Sequence, residues 1–146
     1  MKRFITLASA ATLLCIAMPA AQALELKPGL WKQEITMDAP NLPKQMRTRQ
    51  STHCITQEQA SDPKMAMKKS WGESQCQPDK LDQSGNTLTW SATCKTGKFD
   101  SHMHGSMTFV DATHYTTQTD VEANGHSMKS TVKGSWLKAS CDQAGQ

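Results

Sequence analysis

The chain predicts a mainly β fold built as one antiparallel meander. Three observations carry this. Apolar and polar residues alternate with period two through the second half, and Gly- or Asn-containing turn signals separate those stretches. The pairings these turns dictate then place the large apolar side chains on a single face, with threonine, charge and histidine on the other. Independent turns that agree on phase are a stronger signal than any one strand's propensity.

The N-terminal stretch does not belong to this fold. Lys2 and Arg3 precede an apolar run from Phe4 to Ala20, and Ala21-Gln22-Ala23 supplies small residues for a cleavage site. This layout predicts a secretory signal peptide over residues 1–23. The run is short and has no stop-transfer flank, which argues against a retained transmembrane anchor. Leu13 and Leu14 before Cys15 argue against lipidation there. The remaining residues, 24–146, suit one domain. Removing Lys2 and Arg3 from 16 basic residues leaves 14 against 13 acidic ones, so the formal charge drops from +3 to +1. No run of like charge breaks that balance, so nucleic-acid binding and polybasic membrane attachment have no electrostatic support.

Two strands are expected first, from Gly29 to Met37 and from Thr48 to Ile55, joined by the proline-punctuated loop Ala39-Pro40-Asn41-Leu42-Pro43. Thr56 followed by Gln59 is a capping-box signature, predicting a short helix near 57–69 with Pro63 interrupting it and Trp71-Gly72 ending the segment. Four further strands follow, at about 86–95, 98–110, 113–123 and 126–137.

Their registers can be solved turn by turn. A two-residue Asn124-Gly125 loop pairs Ala123 with His126, Val121 with Met128, Thr117 with Val132 and Tyr115 with Gly134, and sets Asp120 opposite Lys129. A three-residue loop at Asp111-Ala112-Thr113 pairs Phe109 with Tyr115, Met107 with Thr117 and Met103 with Val121. A Thr96-Gly97 turn pairs Cys94 with Phe99 and Trp90 with Met103, and puts Leu88 opposite Gly105. A one-sided sheet must cover its apolar face. Either the helix lies across it, or the sheet curls into a partial barrel with the helix plugging one end.

The exported chain keeps four cysteines, Cys54, Cys76, Cys94 and Cys141, which in an exported domain read as two bridges with three formal pairings open. Cys76 and Cys94 lie equally far on either side of Gly85, so a hairpin there places them opposite one another. This favours Cys76–Cys94 with Cys54–Cys141. The register also puts Leu81 on the face of Thr89 instead of Leu88, unless a bulge intervenes. No CxxC spacing supports a redox pair or a zinc site.

Taken in order, Pro28-Gly29-Leu30-Trp31, Cys54-Ile55-Thr56, Cys76, Ser84-Gly85-Asn86-Thr87, Trp90, Cys94 and Cys141 form a recognisable series. The chain resembles the family called domain of unknown function 3617, small exported bacterial proteins with that opening motif and those cysteines. The resemblance spans about Glu25 to Cys141. It implies location, size and a mostly β domain, and it carries no catalytic residues and no mechanism. Lys32 stands where an acidic residue often follows the tryptophan.

The sharpest candidate for chemistry is His102-Met103-His104. The predicted register sets His102 opposite Glu122 and His104 opposite Asp120 on the polar face, a set able to ligate Cu, Zn or Ni as well as to form ordinary cross-strand ion pairs. Methionines at 37, 46, 65, 67, 103, 107 and 128 invite a Cu(I) reading, but the strand methionines share the inward face with Trp90 and Phe109, where they fill gaps in a core. That face, represented by Trp90, Met103, Met107, Met128 and Trp136, also suits a small apolar ligand or lipid if the helix leaves it unfilled. Trp31 and Trp71 are expected in the core. His53 adjoins Cys54, but neighbouring strand residues face opposite ways, so they do not form a nucleophile and base. No nucleophile elbow, phosphate-cradling loop, dinucleotide fingerprint or zinc-protease helix is present, and no cofactor is implied. The expectation is therefore a periplasmic or secreted, disulfide-stabilised, non-enzymatic domain. It binds a small apolar ligand or another envelope protein on its sheet, with metal binding through the histidine patch as the alternative.

Overall fold

The period-two alternation becomes seven antiparallel strands in one sheet in the computed structural model, which describes residues 25–97 and 99–142. The expected signal peptide lies outside the described residues. The strands are β1 (Gly29–Asp38), β2 (Thr48–Ile55), β3 (Cys76–Ser84), β4 (Thr87–Thr96), β5 (Phe99–Asp111), β6 (His114–Ala123) and β7 (His126–Lys138). Between β2 and β3 come α1 (Gln57–Ser61) and α2 (Pro63–Glu73), and a 3₁₀ turn (Lys44–Met46) precedes β2. The sheet order is β2-β1-β7-β6-β5-β4-β3, so β1 closes back onto the last strand. The sheet does not close into a barrel. Its two edges, β2 and β3, are linked in sequence by the helices, whose Ala60 and Trp71 join the core formed by Trp31, Leu88, Trp90 and Phe109.

The helical segment is two helices, where one short helix was expected. Thr56 and Gln59 form the capping box of α1, with Gln59 N donating to Thr56 Oγ1 at 3.2 Å and Thr56 N to Gln59 Oε1 at 2.9 Å. Pro63 has no N–H to continue that helix, and it serves instead as the first residue of a second one. Asp62 caps α2 by accepting from Met65 N at 2.9 Å.

The β6–β7 register is the one expected from Asn124-Gly125, including Asp120 opposite Lys129, whose charged groups meet at 3.1 Å. The β5–β6 pairs Phe109–Tyr115, Met107–Thr117 and Met103–Val121 also hold, with a bulge at Val110 before Asp111 meets His114. The β4–β5 register is corrected by two residues. Thr96 pairs with Phe99, Cys94 faces Ser101, Trp90 faces Gly105 and Leu88 faces Met107. A slip of two keeps every side chain on its face. It also gives Gly105 to the larger partner, since a Cβ there would strike the Trp90 ring and the Gln118 carbonyl.

The β3–β4 hairpin contains the bulge that its phase required. Ser84 pairs with Thr87, putting Leu81 opposite Trp90, and the register shifts between Pro78 and Lys80 so that Cys76 still meets Cys94. Both bridges, Cys76–Cys94 and Cys54–Cys141, are formed. Leu30 is buried on the other face, paired with Cys54 across β1 and β2 and apart from the main core.

Candidate ligand-binding site

At the sheet end where β1 begins, the chain before the first strand is pinned across the structure. Lys27 N donates to Ala112 O at 2.8 Å in the β5–β6 turn. Trp31 Nε1 donates to Lys27 O at 2.9 Å, and Trp136 Nε1 to Pro28 O at 3.0 Å. This holds Leu26, which is 5% exposed, against the inner face.

Between Leu26, the inner face and α2 lies a cleft of about 390 Å³ that is open to solvent. That volume falls within the ~300–1,000 Å³ of small-molecule pockets. The helical segment contributes Gln59, Pro63, Ala66, Met67, Ser70 and Trp71. The sheet contributes Ile55, Met107 and Val132 as apolar wall, with Gln33, His53, Tyr115 and Thr117 as its polar groups.

The polar groups are placed by register. Gln33 on β1, Gly134 on β7 and Tyr115 on β6 form one row across the sheet. A Cβ at Gly134 would overlap the Tyr115 ring, so the phenol lies over the glycine and reaches toward β1. There Gln33 Nε2 donates to Tyr115 Oη at 2.7 Å, while the ring packs on Trp31 with centroids 5.3 Å apart. Burial pushes the Tyr115 phenol up from its ordinary value, and the Gln33 hydrogen bond works against that shift. His53 pairs with Trp31 on the next row. Its Nδ1 is sealed and has no hydrogen-bond partner, and burial pushes the imidazole below its ordinary value. A proton at Nδ1 would be a buried donor without an acceptor, which costs more than a bare lone pair, so we assign the neutral ring with its proton on Nε2.

Of the five residues expected to contact an apolar ligand, the structure brings only Met107 into this cavity. Trp90 is buried over Gly105, Met103 packs against the core, and Trp136 packs against the core and anchors Pro28. Met128 borders a separate hollow with Ala39, Pro40 and Val121 at the opposite end of the sheet. Sequence reasoning missed Gln33 and Tyr115, and treated His53 only as a neighbour of Cys54. The row shared by Gln33 and Tyr115 depends on β1 pairing with β7, which no local turn announces.

On the outer face, His102 is opposite Glu122 and His104 opposite Asp120, as the register predicted. His104 Nε2 lies 3.8 Å from Asp120 Oδ2, and the other oxygen of Asp120 is held by Lys129 at 3.1 Å. His102 Nδ1 is 3.2 Å from Thr93 Oγ1. Among the described residues, no group of three His, Cys, Asp or Glu side chains is arranged to hold a metal ion. Cys54, beside His53, is tied to Cys141.

Comparison with known proteins adds a family. The chain matches the family described as Protein of unknown function (DUF3617) over residues 26–141. It belongs to that family. No curated protein and no solved structure matches it. The DUF3617 match begins at the buried Leu26 and ends at the bridged Cys141, so it takes in both the strap that closes the cavity and the disulfide that ties down the C-terminal end. Among the described residues no helix is long and apolar enough to cross a membrane, which says nothing of strands.

Proposed function

We propose that this DUF3617 domain is exported and works as a non-enzymatic binder of a small apolar molecule, held between α2 and the inner face of the sheet. The observation that carries the reading is the cavity itself. Its apolar walls are Leu26, Ile55, Met67, Trp71, Met107 and Val132, with Gln33, His53, Tyr115 and Thr117 as polar groups on the sheet side and Gln59 and Ser70 on the helix side, a mixture that suits a small-molecule site. The apolar wall of this open cleft is exposed to water, and a ligand that covered it would be stabilised by that burial. Export is supported by the predicted signal peptide and by two disulfides, which are consistent with a non-cytoplasmic location.

The test is a fluorescence titration with N-phenyl-1-naphthylamine, an uncharged apolar probe. The wild type is expected to take up one equivalent with enhanced emission. Ala66→Phe on α2 and Met107→Trp on β5 each push a ring into the space and are expected to weaken binding by about tenfold or more without loss of thermal stability. Absence of a saturable signal, or uptake indifferent to both substitutions, contradicts the reading.

A further inference from the structure

We propose that the cavity selects uncharged amphiphiles, an apolar chain or ring system ending in one hydroxyl or carbonyl oxygen, and discriminates against the corresponding carboxylate anion. This rests on the ligand-binding reading above and names the ligand class for the same site.

The first support is charge. Among the described residues, no Lys, Arg, Asp or Glu side chain lines the cavity. Arg49, opposite Ile35 on the inner face of β2, is exposed, and Lys64 of α2 is half-buried; neither borders the space. An anion held against the polar groups of the sheet wall would lose part of its hydration and gain no counterion, a larger cost than that of a neutral hydroxyl that finds a hydrogen bond there.

The second support is the pattern of donors and acceptors. Tyr115 Oη accepts from Gln33, which leaves the phenol proton to donate and the Gln33 carbonyl oxygen to accept. His53 stays neutral, because protonation would add a second N–H at the sealed Nδ1, and its Nε2–H is a further donor. Gln33 faces Ser51 and His53 is two residues further along β2, so Gln33 and His53 are diagonal neighbours on one face, roughly 7–8 Å apart. One ligand oxygen lies within side-chain reach of both. A hydroxyl can accept from Tyr115 or His53 while donating to Gln33 Oε1; a carbonyl oxygen satisfies the two donors.

The experiment is displacement of N-phenyl-1-naphthylamine from the purified mature protein at neutral pH by chain-matched decan-1-ol and decanoate, both below their aggregation concentrations. Decan-1-ol is expected to bind at least about tenfold more tightly than decanoate. Tyr115→Phe, which keeps the ring over Gly134, and His53→Leu are each expected to weaken decan-1-ol by about fivefold more than they weaken the probe, the worth of one hydrogen bond. Decanoate binding as tightly as the alcohol, or decan-1-ol affinity that neither variant lowers relative to the probe, overturns the inference and leaves the apolar site standing. If the probe does not bind the wild type at all, the ligand-binding reading fails and this inference fails with it.

Discussion

At the scale of single residues, Tyr115 and His53, two of the polar groups that line the cleft, are each held by what lies beneath or beside them. Tyr115 is aimed by the missing side chain at Gly134. Gly134→Ala is therefore expected to lift the ring, break its bond to Gln33 and destabilise the fold by about 1–3 kcal/mol, as overpacking does. Denaturant unfolding measures this, and a change within a few tenths of a kcal/mol contradicts the assignment. His53 carries a pH signature. Burial lowers its pKa in the folded state, so the unfolded chain binds the extra proton first. Stability should be full above the ordinary histidine value and fall as pH drops through about 6.5 toward the lower folded value. Thermal denaturation between roughly pH 8 and pH 5 is expected to show that decline in wild type and a flatter profile in His53→Leu; parallel profiles contradict it. Asp111 reports a different local device. Hydrogen bonds from the Thr113 side chain and backbone, with His114 adding to them, hold its carboxyl down at about 2, fastening the turn to which Lys27 is tied.

At the scale of elements, the strands and faces were legible because the period of two leaves each residue only two choices, and alternating runs such as Met128 to Trp136 decide between them. Exact partners were legible only where the turn was unambiguous. Asn124-Gly125 has one reading, whereas the turn after Thr96 admits two registers that both preserve the faces, and the structure takes the one that sets Trp90 over Gly105, where no Cβ competes for the space. The bulge at Asp79 is the element that lets Leu81 face inward while Cys76 still reaches Cys94. The cavity was less legible than the sheet. Its polar groups meet through the β1–β7 pairing and its roof is α2, and both are long-range arrangements without a local signature. The inner-face residues singled out from sequence, apart from Met107, share the right face but pack elsewhere along it.

The two disulfides act on different elements. Cys76–Cys94 closes a hairpin of sequence separation 18, while Cys54–Cys141 joins residues 87 apart and fixes the segment after β7 to β2. In the chain-entropy picture the first stabilises by roughly 3 kcal/mol and the second by roughly 4–5 kcal/mol. Replacing each pair by alanine and measuring unfolding is expected to rank them in that order. A Cys76→Ala/Cys94→Ala variant that loses more stability than Cys54→Ala/Cys141→Ala contradicts the account.

At the scale of the whole molecule, the sheet is open, and its two edges are joined through a helical segment that passes over the inner face. The strap from Leu26 to Pro28 and the bridge at Cys141 secure the end where the cavity lies. The central claim is that the space is occupied in the cell. Native mass spectrometry of the protein purified from its own host, without detergent, tests it most directly. The account predicts a mass exceeding that of the mature chain by a single small molecule, released by organic solvent and absent from Ala66→Phe. A bare mass for the wild type, under conditions that preserve the fold, would contradict it.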